Sequence, residues 1–342
     1  MPNLVASRRR ALGLSQQDLA TASHLSRQLI SAVERGRHVP NVVAALAIAK
    51  ALGAPVEEIF GAAPDVYLPA LGRLPADGAG VVAVRVGEPI VYHPVADTCS
   101  SWGRADGTYR DGRVELFPDS DPSGFAVAGC DPALGLAASM LPQRGPRRLV
   151  SILASTGQAI RALDAGRLHG GLVHGPAGRL PGNSSPVLRW TLARWKVGLA
   201  FPPGFRLDLE RLARGGIRVA QQDPDAEVQR AFARALRSAG GTANVRGPVA
   251  SGHLDAAHRV EEGSVKVAVT METAARAFGL AFFELEEHVS ELRIAVSWLD
   301  HPGAQALLEL IASPPFLARL AALGGYDLSE AGQPRWGEAP DA

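Results

Sequence analysis

Three arginines in a row, Arg8-Arg9-Arg10, open the chain's chemistry. Residues 1–62 hold seven Arg/Lys against four Asp/Glu, while all 342 residues carry a net charge of only +1. Any affinity for a polyanion is therefore local rather than global. Much further on, Cys130-Asp131-Pro132 and Ser155-Thr156-Gly157 each follow an apolar run and precede a helical one. Such turns leave backbone N–H groups free at a helix start, where anions and polar ligand groups bind. Asp131 and Ser155 can equally serve as helix caps, and the two roles coexist. Cys130 can coordinate a soft metal, respond to oxidants, or simply be a small buried residue at a strand end. His169 and His174 flank GGLV, a spacing of five that is not a helical metal pair, and either can donate from a strand end or serve structure alone. With two cysteines and no Cys-x-x-Cys, the sequence encodes neither a disulfide framework nor a zinc finger. It contains no Gly-x-Ser-x-Gly, no His-Glu-x-x-His, no phosphate loop and no dinucleotide fingerprint, so no enzyme class is indicated.

The elements that must carry these groups can be read next. Ser15–Gly36, SQQDLATASHLSRQLISAVERG, predicts two short helices around a tight turn. Ser15 and Ser26 stand at the two N-caps, Leu19 and Ala20 face inward, and Leu29, Ile30 and Val33 recur at helical spacing. Gly36 is free to take the left-handed conformation that ends a helix. This is a helix-turn-helix, whose second helix lies in the DNA major groove. Beside it the arginine run reads as phosphate contacts rather than as a merely solvated face. A basic helix over residues 3–12, with Leu4, Val5, Ala11 and Leu12 apolar, precedes it. An Ala-rich helix over Val42–Leu52 and a short one after Pro55 complete five helices.

Residues 62–80 read as a linker with some order. VVAVRVGEPIVYHPV then predicts a β-hairpin about a Gly-Glu-Pro turn, and GTYRDGRVELFP further strands, with Val91, Tyr92 and Val114 in the core. Cys99 lies near no ligand set and reads as a passive thiol. From Phe125 to Tyr326 apolar runs alternate with helical patterns, which predicts two α/β lobes meeting near residues 193–200, with ligands at the carboxyl ends of strands. No run reaches the roughly 18 apolar residues of a membrane span. With no signal core at the N-terminus, the sequence predicts a soluble cytoplasmic protein with reduced thiols.

LGLSQQDLA, SRQLISAVERGRHVP and ALAIAKALGAPVEEIF together resemble the phage-repressor (Xre/Cro) helix-turn-helix family over residues 3–61. The resemblance implies that Ser26, Arg27, Gln28 and Ser31 face base edges. Arg can bind guanine O6/N7, and Gln can bind adenine N6/N7. It also implies that Gln16 or Gln17, Arg37, Asn41 and one or more of Arg8, Arg9 and Arg10 meet phosphates. Double-stranded DNA with a two-fold site, bound by a homodimer, is the implied partner.

AGCDPALGLAA, ASTGQAIRALDAGRLHGGLVHG, KVGLAFPPG and the run from ASGHLDAAHRV to LAFFEL resemble the periplasmic-binding-protein-like domain related to molybdate-binding proteins. The implied protein is a ligand-controlled, non-enzymatic regulator. Its fold is multidomain: an all-α domain over 1–62, a small β-rich connecting region over 63–124, a two-lobed α/β domain over 125–330 and a tail over 331–342. Ser251-Gly252-His253 is placed by the resemblance at a cleft-lining helix start. Cys130, Asp131, Ser155, Thr156, His174, Gln222, Asp225, Ser251, His253 and Thr270 form the candidate ligand set. Where the family has a Gly-Ser-Gly loop and then an Arg, this chain reads QDPDAEVQ over 222–229. A carboxylate about 4 Å from an anion repels it by roughly 4 kcal/mol at an effective dielectric of 20. If Asp225 and Glu227 face the cleft, a neutral, cationic or metal ligand is favoured; if they face solvent, an oxyanion such as molybdate remains open. A lobe domain without a ligand, serving a constitutive repressor that acts through protein partners, is the alternative, and an enzyme carrying a DNA-binding module the remotest one.

Overall fold

The computed structural model describes residues 4–60, 65–95, 105–241 and 245–335. They form two compact units, Met1–Val66 and Tyr67–Ala342. The first contains α1 (Val5–Ala11), α2 (Gln16–Ser23), α3 (Arg27–Glu34), α4 (Val42–Ala51) and α5 (Val56–Phe60). Its helix boundaries are set by local caps. Ser15 Oγ accepts from Asp18 N while Asp18 accepts from Ser15 N, a reciprocal capping box. Ser26 Oγ accepts from Leu29 N, and Asn41 Oδ1 from Ala44 N. Gly36 takes φ 68°, the left-handed conformation expected of it. Leu19, Ala20, Ile30, Val33, Ile48, Leu52 and Ile59 make the core, and Leu29 is partly buried against it.

The first helix departs from expectation. Only Val5 of its apolar residues is buried, while Leu4, Ala11 and Leu12 are exposed. The position one turn after Val5 is Arg9, and it takes the inward place that an apolar residue would have filled. Its guanidinium grips Glu34 at 2.5 and 3.1 Å and donates to the Leu14 carbonyl at 2.7 Å. Gln16 also donates to Glu34, at 2.7 Å. One carboxylate on α3 thus holds α1 and α2.

The second unit opens with a five-stranded sheet of β1 (Tyr67–Pro69), β2 (Gly80–Arg85), β3 (Ile90–Pro94), β4 (Gly107–Arg110) and β5 (Arg113–Leu116), in the order β1-β3-β2-β4-β5. β2 and β3 are the expected hairpin, and Val91, Tyr92 and Val114 are buried. Cys99 lies outside the described residues. The segment expected to be a linker contributes β1, paired parallel to β3. The sheet is no mere connector. Val82, Val84, Val86 and Val91 share one hydrophobic cluster with Ala126, Ala128, Val150 and Ile152 of the sheet that follows.

That second sheet is nine-stranded. Its first half holds β6 (Phe125–Gly129), α6 (Ala133–Met140), β7 (Leu149–Leu153), α7 (Thr156–Asp164) and β8 (Gly170–Gly175). β9 (Val187–Phe201) leads into the second half: α8 (Leu209–Ala213), β10 (Val219–Ala220), α9 (Glu227–Ser238), α10 (His253–Glu261), β11 (Val267–Met271) and α11 (Glu272–Ala277). β12 (Ala281–Ala295) returns, followed by α12 (Pro302–Ile311), α13 (Pro314–Leu323), β13 (Tyr326–Asp327) and β14 (Pro334–Arg335). The path is β10-β11-β9-β12-β8-β6-β7, with β13 and β14 also on β9. The two 15-residue strands β9 and β12 pair antiparallel along their whole length and belong to both halves. Among the described residues no single helix is long and apolar enough to cross a membrane.

A buried ion pair fastens the two sheets. Arg148, just before β7, meets Asp106 at 2.7 Å, and the other Asp106 oxygen accepts from Ala83 N on β2. Removing one partner of such a pair leaves an uncompensated buried charge. Arg148→Met should lower unfolding free energy by about 3–5 kcal/mol, read as a shift in the urea midpoint at unchanged slope.

Candidate functional site

Two sites emerge, one in each unit. On the first, the residues expected to meet DNA divide by exposure. Arg10, Gln17, Arg27, Gln28 and Arg37 are exposed. Ser26 and Asn41 are exposed too, with their side-chain oxygens engaged as caps. Ser31 is half-buried and accepts from Arg35 at 2.8 Å. Arg8 is exposed and lies 3.5 Å from Glu58. Of the alternatives Arg8, Arg9 and Arg10, and Gln16 or Gln17, Arg9 and Gln16 are engaged within the domain. Both are bound to Glu34, and Arg9 retains only 11% of its side-chain surface. A donor fork filled by a buried carboxylate is not available to a second anion.

In the second unit a cleft of about 210 Å³ opens beside the carboxyl ends of β6 and β7. Cys130, Ser155, Gln222 and Ser251 line it, as expected. Gln158 and Asp223 line it as well, and the five-stranded sheet region adds Arg73 and His93. These four were missed. Gln158 and Asp223 sit within one to three residues of expected positions, but Arg73 and His93 come from a region with no local signal of function.

The start of α7 is capped locally by Ser155. Ser155 Oγ accepts from Gln158 N at 3.3 Å and Gln158 Oε1 from Ser155 N at 2.9 Å, a capping box that answers the Ser155 and Gln158 amides. Thr156 is buried, its hydroxyl bonded to the His174 backbone. Asp225 stays outside the cleft lining. It pairs with Arg161 at 3.0 Å and Arg230 at 3.5 Å, and Glu227 pairs with Arg230 at 2.5 Å. Neither carboxylate is a free charge. Thr270 is also buried, its hydroxyl donating to the His253 carbonyl.

Behind the cleft lies a buried polar layer. Asp131 accepts from Ala133 N at 2.9 Å, Tyr326 Oη at 2.7 Å and Ser290 Oγ at 3.2 Å. Burial pushes its carboxyl up from the ordinary value and pushes the Tyr326 phenol well up too. His174 Nε2 lies 3.1 Å from Cys130 Sγ, and its Nδ1 lies 2.9 Å from His288 Nδ1. His288 Nε2 faces Glu286 at 3.3 Å, and Gln222 faces His253 Nδ1 at 3.1 Å. Trp195, paired with His288 across the two long strands, packs its ring 4.6 Å from that of His174. Burial lowers all of these histidines: His253 to about 3, His174 well below its ordinary value, and His288 in the same direction. His288 gave no sequence signal, because AFFELEEHVS does not alternate.

Comparison with known proteins places both units. Residues 5–59 match the helix-turn-helix model and residues 138–312, just over half of the chain, match the PBP superfamily domain. The chain belongs to the PBP superfamily, with an Xre-type helix-turn-helix at its N-terminus. An uncharacterized HTH-type transcriptional regulator of Methanothermobacter thermautotrophicus is 43% identical over 61 residues, 18% of this chain and 88% of that protein. Another, YgzD of Bacillus subtilis, is 37% identical over 60 residues, 18% of this chain and 91% of that protein. The restriction-modification controller protein C.AhdI from Aeromonas hydrophila is 39% identical, covering 16% of this chain and 85% of that one, with a TM-score of 0.16. A putative phosphate ABC transporter substrate-binding protein from Clostridium perfringens is 12% identical, covering 59% of this chain and 98% of that one, with a TM-score of 0.47. The protein is a transcription regulator with a helix-turn-helix DNA-binding domain and a PBP-like ligand-binding domain.

The buried histidines of this PBP-like unit set its acid stability. His169 stacks on Phe125 at 4.8 Å, accepts from Ala126 N, and is pushed down to about 3 by burial. A histidine with a folded pKa below the unfolded 6.5 is protonated more readily after unfolding. Its contribution is intact above pH 6.5 and is lost as pH falls towards 3, at about 1.4 kcal/mol per pH unit. His169→Gln should flatten the fall of unfolding free energy between pH 6 and pH 4.5 by about that slope, measured by urea titration at each pH.

Proposed function

We propose that the protein is a cytoplasmic one-component regulator that binds a two-fold operator as a homodimer through α3, its DNA affinity set by a small polar ligand in the cleft. The exposure of Arg27 and Gln28 on the first turn of α3, while Arg9 and Gln16 are bound to Glu34, carries the DNA half of this reading. Both side chains have bidentate chemistry for purine edges. Arg10, Gln17 and Arg37 supply the phosphate contacts.

The cleft favours a ligand that is near neutral overall or zwitterionic. Its lining holds one arginine, Arg73, and one carboxylate, Asp223, with Ser155, Gln158, Gln222 and Ser251 as neutral partners. A multiply charged oxyanion such as molybdate would need converging backbone donors or several cations. The lining supplies a single guanidinium, and the arginine-paired carboxylates at 225 and 227 stand in the stretch where the resemblance implies a glycine-rich loop. Regulation, rather than catalysis, accords with the relatives named as transcriptional regulators.

Selection of bound sequences from a random duplex library should yield a site with two-fold symmetry. Arg27→Ala combined with Gln28→Ala should retain the fold and weak, salt-sensitive binding. Sequence preference should fall by about 1–3 kcal/mol for each base no longer read. Unchanged preference in that double variant would remove α3 as the reader. For the ligand, amino acids, neutral amides and molybdate can be compared by thermal shift. A true effector at 100 times its dissociation constant stabilises the protein by about 2.7 kcal/mol. Gln222→Leu should abolish that shift, and a shift with molybdate alone would overturn the near-neutral assignment.

A further inference from the structure

The buried layer behind the cleft contains a thiol and two imidazoles whose potential ligand atoms, on Cys130, His174 and His253, all lie within 4.8 Å of one another. All three residues are buried. The proton positions follow from the partners. A carboxylate only accepts, so His288 carries its proton on Nε2, towards Glu286 at 3.3 Å. Its Nδ1 is then a lone pair, and His174 Nδ1, 2.9 Å away, must donate to it. His174 Nε2 is therefore also a lone pair, and it points at Cys130 Sγ, 3.1 Å away. A chain of carboxylate, imidazole and imidazole ending in a lone pair beside a thiol is the outer-shell arrangement that orients and enriches a metal-bound histidine. On His253, Nδ1 is held by Gln222, and Nε2 is buried with no hydrogen-bond partner among the described residues.

We propose that Cys130, His174 and His253 form a binding site for one monovalent soft metal ion, Cu(I). The Cys130 thiolate and the His174 and His253 Nε2 atoms are the ligands. Binding displaces one proton, from the thiol to solvent. It also requires the His253 proton to pass from Nε2 to Nδ1 and the Gln222 amide to turn its oxygen there, which gives up the bond from Gln222 Nε2 to the Val269 carbonyl at 2.9 Å and leaves His253 Nε2 as a lone pair. Charge selects the metal. Cu(I) with one thiolate is neutral, which suits three ligand residues that are all buried at the edge of the cleft, whereas Zn(II) leaves a net buried positive charge. Zn(II) also asks for a fourth ligand. The neighbouring carboxylate, Asp131, is already occupied by Ala133 N, Ser290 and Tyr326. Thiolate and imidazole donors suit Cu(I) on softness as well. Cys130 follows the end of β6 and His174 sits on β8, in the first half of the sheet, while His253 opens α10 in the second, so the ion would tie the two halves together.

The test is a Cu(I) titration of the reduced, metal-free full-length protein against a chromophoric Cu(I) chelator, independent of any DNA readout. The expected result is one Cu(I) per chain in a three-coordinate sulfur-plus-two-nitrogen site by X-ray absorption. Cys130→Ser should weaken affinity at least about 100-fold and His253→Gln at least about 10-fold, with melting temperatures of the apo forms unchanged within a few degrees. Should a variant not fold, alkylation of Cys130 in the wild-type chain, followed by mass spectrometry of its peptide, should be slowed at least tenfold by one equivalent of Cu(I). Absence of stoichiometric Cu(I) binding, unaltered affinity in Cys130→Ser, or preferential four-coordinate Zn(II) binding would each overturn the assignment.

Discussion

The antiparallel ladder between β9 and β12 is the constraint on which the second unit depends. Val187 pairs with Ala295 at one end and Phe201 with Ala281 at the other, so each strand is covered by the other along its whole length. The outer partners differ by half: β8 joins β12 over residues 289–294, and β11 joins β9 over residues 197–200. The two halves are consequently connected by a shared hydrogen-bonded sheet, not by a flexible tether. A one-residue slip would turn every side chain to the opposite face. Relative movement of the halves must instead be absorbed as twist, and the register shifts between Glu284 and Glu286 and between Ser290 and Glu291 are where a ladder twists most readily.

Between and beyond those shifts the strand carries polar groups through a buried run. His288, Ser290, Glu291 and Arg293 are all buried, an arrangement that costs free energy unless each group is answered. Each is answered from a different element. Arg293 is held by Glu291, Asn183 and the Pro181 carbonyl, and Glu291 also takes Arg335 from β14 at 3.0 Å. Ser290 donates to Asp131 at the head of α6, and His288 bridges Glu286 and His174. Such a network adds little net stability over an apolar packing, but it admits only one register, because any other leaves a charge unpaired. The same network fixes the ring orientations that line Cys130.

What the sequence disclosed follows the range of the interactions. Caps at Ser15 and Ser26 and the turn at Gly36 are satisfied within three or four residues, so the helical unit was legible almost throughout, although Asn41, read as a phosphate contact, also caps α4. Arg9 was not, because its partner Glu34 lies 25 positions away and nothing local distinguishes a buried arginine from an exposed one. In the second unit the rule that ligands gather at strand ends pointed to loops that line the cleft. Depth was not legible: Cys130 and Ser155 reach the cleft, whereas Asp131 and Thr156, one residue on, turn inward. The β-rich region read as a connector because its strands carry no cluster of reactive residues. Only its packing on β6 and β7 brings Arg73 and His93 to the cleft.

On the proposed reading, the helical unit alone is a weak binder. Arg10, Arg27, Arg35 and Arg37 are its exposed arginines on or near the reading helix, and each phosphate neutralised lowers the salt exponent of binding by only about 0.9. Two such units held at one separation bind as a linked pair, and the second contact is then governed by an effective concentration rather than by free diffusion. That quantity is sensitive to geometry: it collapses when the spacing no longer matches the half-sites. A ligand that favours one twist of the β9–β12 ladder by about 1–3 kcal/mol can thus change operator occupancy roughly 5- to 150-fold without touching a single base-reading side chain. On that reading specificity is local to α3, and control acts through the spacing of the paired helical units.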